Sequence, residues 1–119
     1  MKYMLLMYAN EANVPQTPEE QQTTAPVWQV WQAVAQEMEA AGVLVSNSGL
    51  SSIANATTVR VRDHKTLITD GPFAETHEQL GGYFLVECKD LDEAIRWAEE
   101  IPAAKYGSVE VRPQWTPEV

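Results

Sequence analysis

Residues 3–9 are apolar without a break, a run of strand length whose two faces are both hydrophobic. A polar stretch with Pro15 follows over residues 11–17, so the first strand leads into an excursion of the chain. Thr17-Pro18-Glu19-Glu20 has the form of a capping box with proline at the first helical position, and Pro26 marks a second start or a kink. Val27, Val30, Trp31, Val34, Met38 and Ala41 then recur at helical spacing before Gly42, which predicts the main helix over residues 26–41 with a glycine stop.

Beyond Gly42 the period changes. Residues 43–50 predict a second strand that fades into serine and asparagine. In residues 57–62, Val59 and Val61 alternate with Thr58, Arg60 and Arg62, the mark of a half-buried strand. Asp63-His64 reads as a two-residue turn, so residues 57–69 are expected to form a hairpin with His64 at its tip. Residues 82–88 are a further apolar strand. Asp90 and Glu93 make a second capping box, opening a helix whose Leu91, Ala94, Ile95, Ala98 and Ile101 form one stripe until Pro102 ends it. Residues 108–112 are the last strand.

The order β, α, β, hairpin, β, α, β predicts a ferredoxin-like α+β sandwich, an antiparallel sheet with two helices on one face. Two helices cover one face only, whereas residues 3–8 and 83–88 are apolar on both. The cheapest cover for the second face is the same face of another copy. An isologous homodimer, its two sheets closing into a dimeric α+β barrel, is therefore expected.

Composition narrows the function. The chain has 119 residues, which fits a single domain over residues 1–119 that buries roughly two thirds of its unfolded surface. Eight Lys plus Arg against seventeen Asp plus Glu give a net charge of −9, which repels phosphate backbones and excludes direct nucleic-acid binding. The longest apolar run is far below the roughly 20 residues a membrane span requires, and no signal-peptide pattern follows Met1, so a soluble cytoplasmic protein is expected. The single cysteine, Cys88, lies in an apolar strand and reads as a buried, inert thiol. No cysteine or histidine pair has zinc spacing, and there is no phosphate-cradling loop or nucleophile elbow, so neither metal nor cofactor is expected.

Chemistry concentrates in residues 70–82, where polar side chains and three glycines lie between two strand-like runs. Asp70 ends a strand at a Gly71-Pro72 turn, either as an Asx-type turn residue or as a general base or ligand anchor. His77 is close enough in sequence to Asp70 and Glu75 to meet a carboxylate across the loop, or is a surface residue. Gly81-Gly82 implies a bulge or a close approach of backbone or ligand. Glu75, Thr76, Glu78 and Gln79 bind a ligand or fix the loop. Phe73, Tyr83, Tyr8 and Trp31 can wall a pocket or pack in the core. Arg60, Arg62 and Arg112 are clamps for a carboxylate or outward ion pairs, and Tyr106 and Ser108 are rim candidates.

The run Asp70-Gly-Pro-Phe-Ala-Glu-Thr76 resembles the signature of the DGPF group of YCII-related proteins. Met1-Lys-Tyr-Met-Leu-Leu-Met-Tyr8, Ala40-Ala-Gly-Val-Leu-Val45 and Gly107-Ser-Val-Glu-Val-Arg-Pro113 extend the likeness over nearly the whole chain. The resemblance implies the dimeric α+β barrel and makes Asp70 the counterpart of the acidic member of a His and Asp pair suspected of catalysis in the wider superfamily. The place of that histidine is taken here by Trp31, whose indole cannot accept a proton, so the pair is incomplete. His77 stands where the group usually has lysine. The family has no settled reaction. The expected role is to bind or convert a small molecule in a cleft at the signature loop, with Asp70 as polar anchor and His77 beside it. The alternative is a regulatory module without catalysis, since similar domains occur beside or fused to extracytoplasmic-function sigma factors.

Overall fold

Alternation along the two central strands decides which side of the sheet carries the core. The computed structural model describes residues 1–13 and 27–117; the capping box at residues 17–20 and the helix start at Pro26 lie outside them. Its elements are β1 (Lys2–Ala9), α1 (Val27–Ala40), β2 (Leu44–Gly49), β3 (Thr57–Arg62), β4 (Lys65–Asp70), β5 (Gln79–Glu87), α2 (Leu91–Glu100), α3 (Ala103–Tyr106) and β6 (Ser108–Pro113). Four strands form one antiparallel sheet in the order β2-β5-β1-β6. This α+β topology is consistent with a ferredoxin-like arrangement.

Leu5 pairs with Phe84 and Val111, and Tyr3 with Val86. Tyr3, Leu5, Met7, Phe84 and Val86 face the helices and are buried with Val34 and Met38 of α1 and Ala94 and Ala98 of α2. Each helix thus buries residues four apart, as an amphipathic stripe requires. Met4, Leu6, Tyr83 and Leu85 alternate onto the opposite face and remain half-buried in the single chain. The smallest principal extent is 19 Å, the depth of one helix layer on one sheet.

Both helix boundaries have local chemistry behind them. Asp90 caps α2, its Oδ1 accepting from the Glu93 amide at 2.9 Å. At the end of α1 the Val43 amide donates to Met38 O and the Gly42 amide to Glu39 O, each at 3.0 Å, with Gly42 at φ 74°. That is a Schellman stop, open to glycine because it needs the left-handed region. Pro102 ends α2 as expected, but its fixed φ also starts the single turn of α3.

The hairpin is a separate two-stranded ribbon, β3 with β4, and Asp63 and His64 form its tip with φ of 51° and 62°. It departs from expectation in one respect. β3 reads as half-buried, yet Val59 is 61 % and Val61 59 % exposed, and every residue of β4 is exposed. The ribbon projects beyond the sheet, so alternation has no body to bury against within the chain. No helix among the described residues is long and apolar enough to cross a membrane.

Candidate functional site

β1 ends and β5 begins at the same end of the sheet, and the pairing is irregular there. Met7 pairs with Gly82 but Tyr8 with Leu80, leaving Gly81 as the extra residue of a bulge. A Cβ on Gly82 would lie 2.6 Å from Ser48 O and 2.6 Å from the Trp31 ring. Glycine at this point lets β2 and Trp31 close on β5, and the Trp31 ring packs on Phe84 with centroids 4.9 Å apart.

A cavity of about 510 Å³ opens beside this contact, within the size range of small-molecule sites. Met7, Trp31, Leu50, Ile101, Ala103 and Tyr106 supply much of its apolar wall, and Glu11, Ser52 and Gln79 its polar rim. The rim is rigidly tied. Glu11 Oε1 accepts from the Ile53 amide at 2.8 Å and Oε2 from Ser52 Oγ at 3.0 Å. The Glu11 amide donates to Gln79 Oε1 at 3.1 Å, and Gln79 Nε2 donates to Thr76 O at 2.6 Å. Ser52 Oγ also accepts from the Ala54 amide, capping a 3-10 turn at Ile53–Asn55. Three segments distant in sequence thereby meet at one mouth.

Of the expected site residues, Tyr8, Trp31 and Gly81 line the cavity and Gly82 lies beneath Trp31. Tyr83 pairs with Leu6 on the uncovered sheet face. Asp70, Phe73, Glu75 and His77 stand outside the cavity walls and are exposed, Phe73 by 75 %. Asp70 closes the base of the ribbon opposite Thr57. The turn after it is held by Gly71 N to Ala56 O at 2.7 Å and Thr58 Oγ1 to Gly71 O at 2.8 Å, with no Asx bond. Among the described residues the Asp70 carboxylate accepts no hydrogen bond. His77 makes no hydrogen bond or ion pair with Glu75 or Asp70, so the expected contact across the loop is not formed. Thr76 Oγ1 instead donates to Glu78 O at 2.7 Å, and with the Gln79 bond this pins the loop while the imidazole stays exposed.

The arginines are engaged elsewhere. Arg112 pairs with Glu110 at 2.6 Å, Arg60 donates to Phe73 O and Arg62 to Val61 O. The Arg112 hydrogen bond holds the Glu110 carboxyl below its usual range. Burial, followed by the charge of Glu110, raises the Tyr8 phenol; burial alone raises Tyr106. Both phenols are therefore neutral donors near pH 7. Cys88 is buried and its thiol is pushed up to about 11, chiefly by desolvation, which leaves it no nucleophile. No group of three or more His, Cys, Asp or Glu side chains converges among the described residues.

Tyr106, a rim candidate of the sequence, lies in the cavity wall, whereas Glu11 and Ser52 are not among the sequence candidates. Glu11 is one acid in a polar loop, and the turn it caps lies 42 positions away. No local pattern announces such a partner. The site's chemistry is that of a container, with aromatic and aliphatic walls, one fixed carboxylate and no buried base.

A four-stranded antiparallel sheet with helices on one face, a ribbon inserted between its halves and a cavity at the sheet end define a small α+β protein built around an apolar pocket. Residues 1–116 match the model of the YCII-related domain, and the chain belongs to that family. It is 36 % identical over 115 residues to an uncharacterized protein of Rhizobium meliloti (strain 1021), a match covering 95 % of this chain and 91 % of that protein.

Proposed function

We propose that this protein binds a small, largely apolar molecule in the cavity at the end of the sheet and acts as a homodimer. The cavity itself carries the first half of the reading: about 510 Å³ walled by buried Ile101 and Ala103 with a hydrogen-bonded polar rim. The polar contacts of the site are those of the rim, Glu11, Ser52 and Gln79, while Asp70 stands exposed at the ribbon base outside the cavity walls. In a thermal-shift screen of small neutral aromatic and alicyclic compounds, some are expected to raise the melting temperature. Ala103→Leu, which adds bulk to the buried wall of the cavity, should reduce the shift, and Asp70→Asn, outside the walls, should leave it in place. Shifts unchanged by Ala103→Leu would move the binding site elsewhere.

The homodimer rests on two unburied surfaces. Met4, Leu6, Tyr83 and Leu85 form an apolar strip on the sheet face that the helices leave free, the geometry of a self-complementary two-fold contact. The ribbon adds Val59, Val61, Leu67 and Ile68, between 48 % and 68 % exposed. A two-stranded ribbon alone is marginal in water, and this one carries Arg60, Arg62 and Lys65 of an otherwise acidic chain. A second copy supplies both an apolar cover and opposite charge. Leu85→Asp is expected to shift light-scattering mass from dimer to monomer, and Ile68→Glu to weaken the dimer. If Ile68→Glu leaves the dimer unchanged, the exposed ribbon favours the other reading, a non-catalytic module docking a protein such as an extracytoplasmic-function sigma factor.

A further inference from the structure

We infer that the cavity selects neutral or cationic aromatic molecules bearing an N–H donor and rejects anionic ones. The inference rests on the binding role proposed above and names the ligand class. Two observations of different kind lead to it.

The first is charge. Glu11 is the carboxylate at the cavity, and neither lysine, arginine nor histidine lines it among the described residues. Residues 14–26, which join Glu11–Asn13 to α1, contain none in their sequence either. The chain as a whole carries −9. An anionic ligand would give up its hydration here and meet no cation among the described residues, while an ammonium group would meet a carboxylate in a cavity whose lining includes the aromatic rings of Trp31 and Tyr106.

The second is hydrogen-bonding capacity. An ionised carboxylate has about four acceptor positions, and among the described residues Glu11 has two filled, by the Ile53 amide and the Ser52 hydroxyl. Those two bonds fix its position and leave acceptor capacity free. Among the rim's donors, the Ser52 hydroxyl is given to Glu11 and one N–H of the Gln79 amide to Thr76 O. Glu11 is the charged contact at the mouth, and its free acceptor capacity fits a ligand that donates. The walls add flat contact surface, with Trp31 held on Phe84.

Indole, tryptamine and indole-3-acetate share one ring system and differ in charge, so their affinities by isothermal titration separate charge from shape. Tryptamine is expected to bind at least ~10-fold more tightly than indole-3-acetate, with indole between, the size a half-screened charge produces. Glu11→Gln keeps an acceptor for the Ile53 amide and should shrink that gap to about 3-fold or less. Leu50→Lys, at an exposed lining position, provides a second arm and should move the preference toward indole-3-acetate. Equal or tighter binding of indole-3-acetate by the wild-type protein would overturn the charge inference and leave the cavity standing as a site. A gap unchanged in both variants would overturn it too. If none of the three bound and none competed with a neutral compound from the screen, the cavity reading would fall, and this inference with it.

Discussion

Phe84→Ala is expected to cost about 4 kcal/mol of folding stability, a large share of the roughly 5–15 kcal/mol available to a domain of this size. Phe84 is 0 % exposed, pairs across the sheet with Leu5 and Asn47, and carries the Trp31 ring on its own. Truncation loses the transfer free energy of the ring and leaves a void beside the existing cavity. Backbone pairing on both sides holds β5 in place, so collapse is limited and the void term stays. Urea denaturation should show a lower midpoint at unchanged slope. A loss under about 1 kcal/mol would mean that Trp31 swings into the space, and the cavity would then be far more plastic than its tied rim suggests.

Gly107→Ala is expected to cost about 3 kcal/mol through a steric conflict. Gly107 follows α3 and its amide donates to Ala103 O at 2.7 Å. A Cβ there would overlap the carbonyl oxygen of Tyr8 and press on Ala9 at 3.0 Å, both backbone-anchored parts of the central strand β1. Neither can move without disturbing the pairing of β1 with β5 and β6. Gly49→Ala is the matched control. Its Cβ meets nothing within 4 Å, and the change should stay within about 0.5 kcal/mol. Equal melting temperatures for the two variants would show that the close approach of α3 to β1 is not needed.

The elements legible in the sequence are those whose causes are local. The Asp63-His64 turn, the Asp90 cap and the Gly42 stop each arise from residues within a few positions of one another, and all three stand where expected. β5 is harder. Its alternation is clean only from Gly82, so the strand reads as starting there, whereas pairing with Tyr8 and Ala9 carries it back to Gln79 across the bulge. The cavity is the least legible part. Trp31 and Tyr8 are visible as pocket candidates because aromatic residues stand out, but the rim depends on Glu11 meeting Ser52 and Gln79, and the turn of α3 depends on where Pro102 lies relative to β1. The signature loop stands out in the sequence for its density of polar groups. In the single chain those groups face solvent, and only its last residues, Gln79 to Gly81, reach the cavity.

The tie at the mouth also makes the site depend on the sheet. Glu11 finds partners 42 and 68 positions away, and it reaches them only because β1 and β5 already run side by side, Ala9 against Gln79. The container is therefore a product of the assembled sheet and not of any one segment. Its rim bonds are exposed or only partly buried, so they can be released while Leu5, Phe84 and Val86 stay packed, a local fluctuation that widens the mouth for a guest and leaves the fold intact.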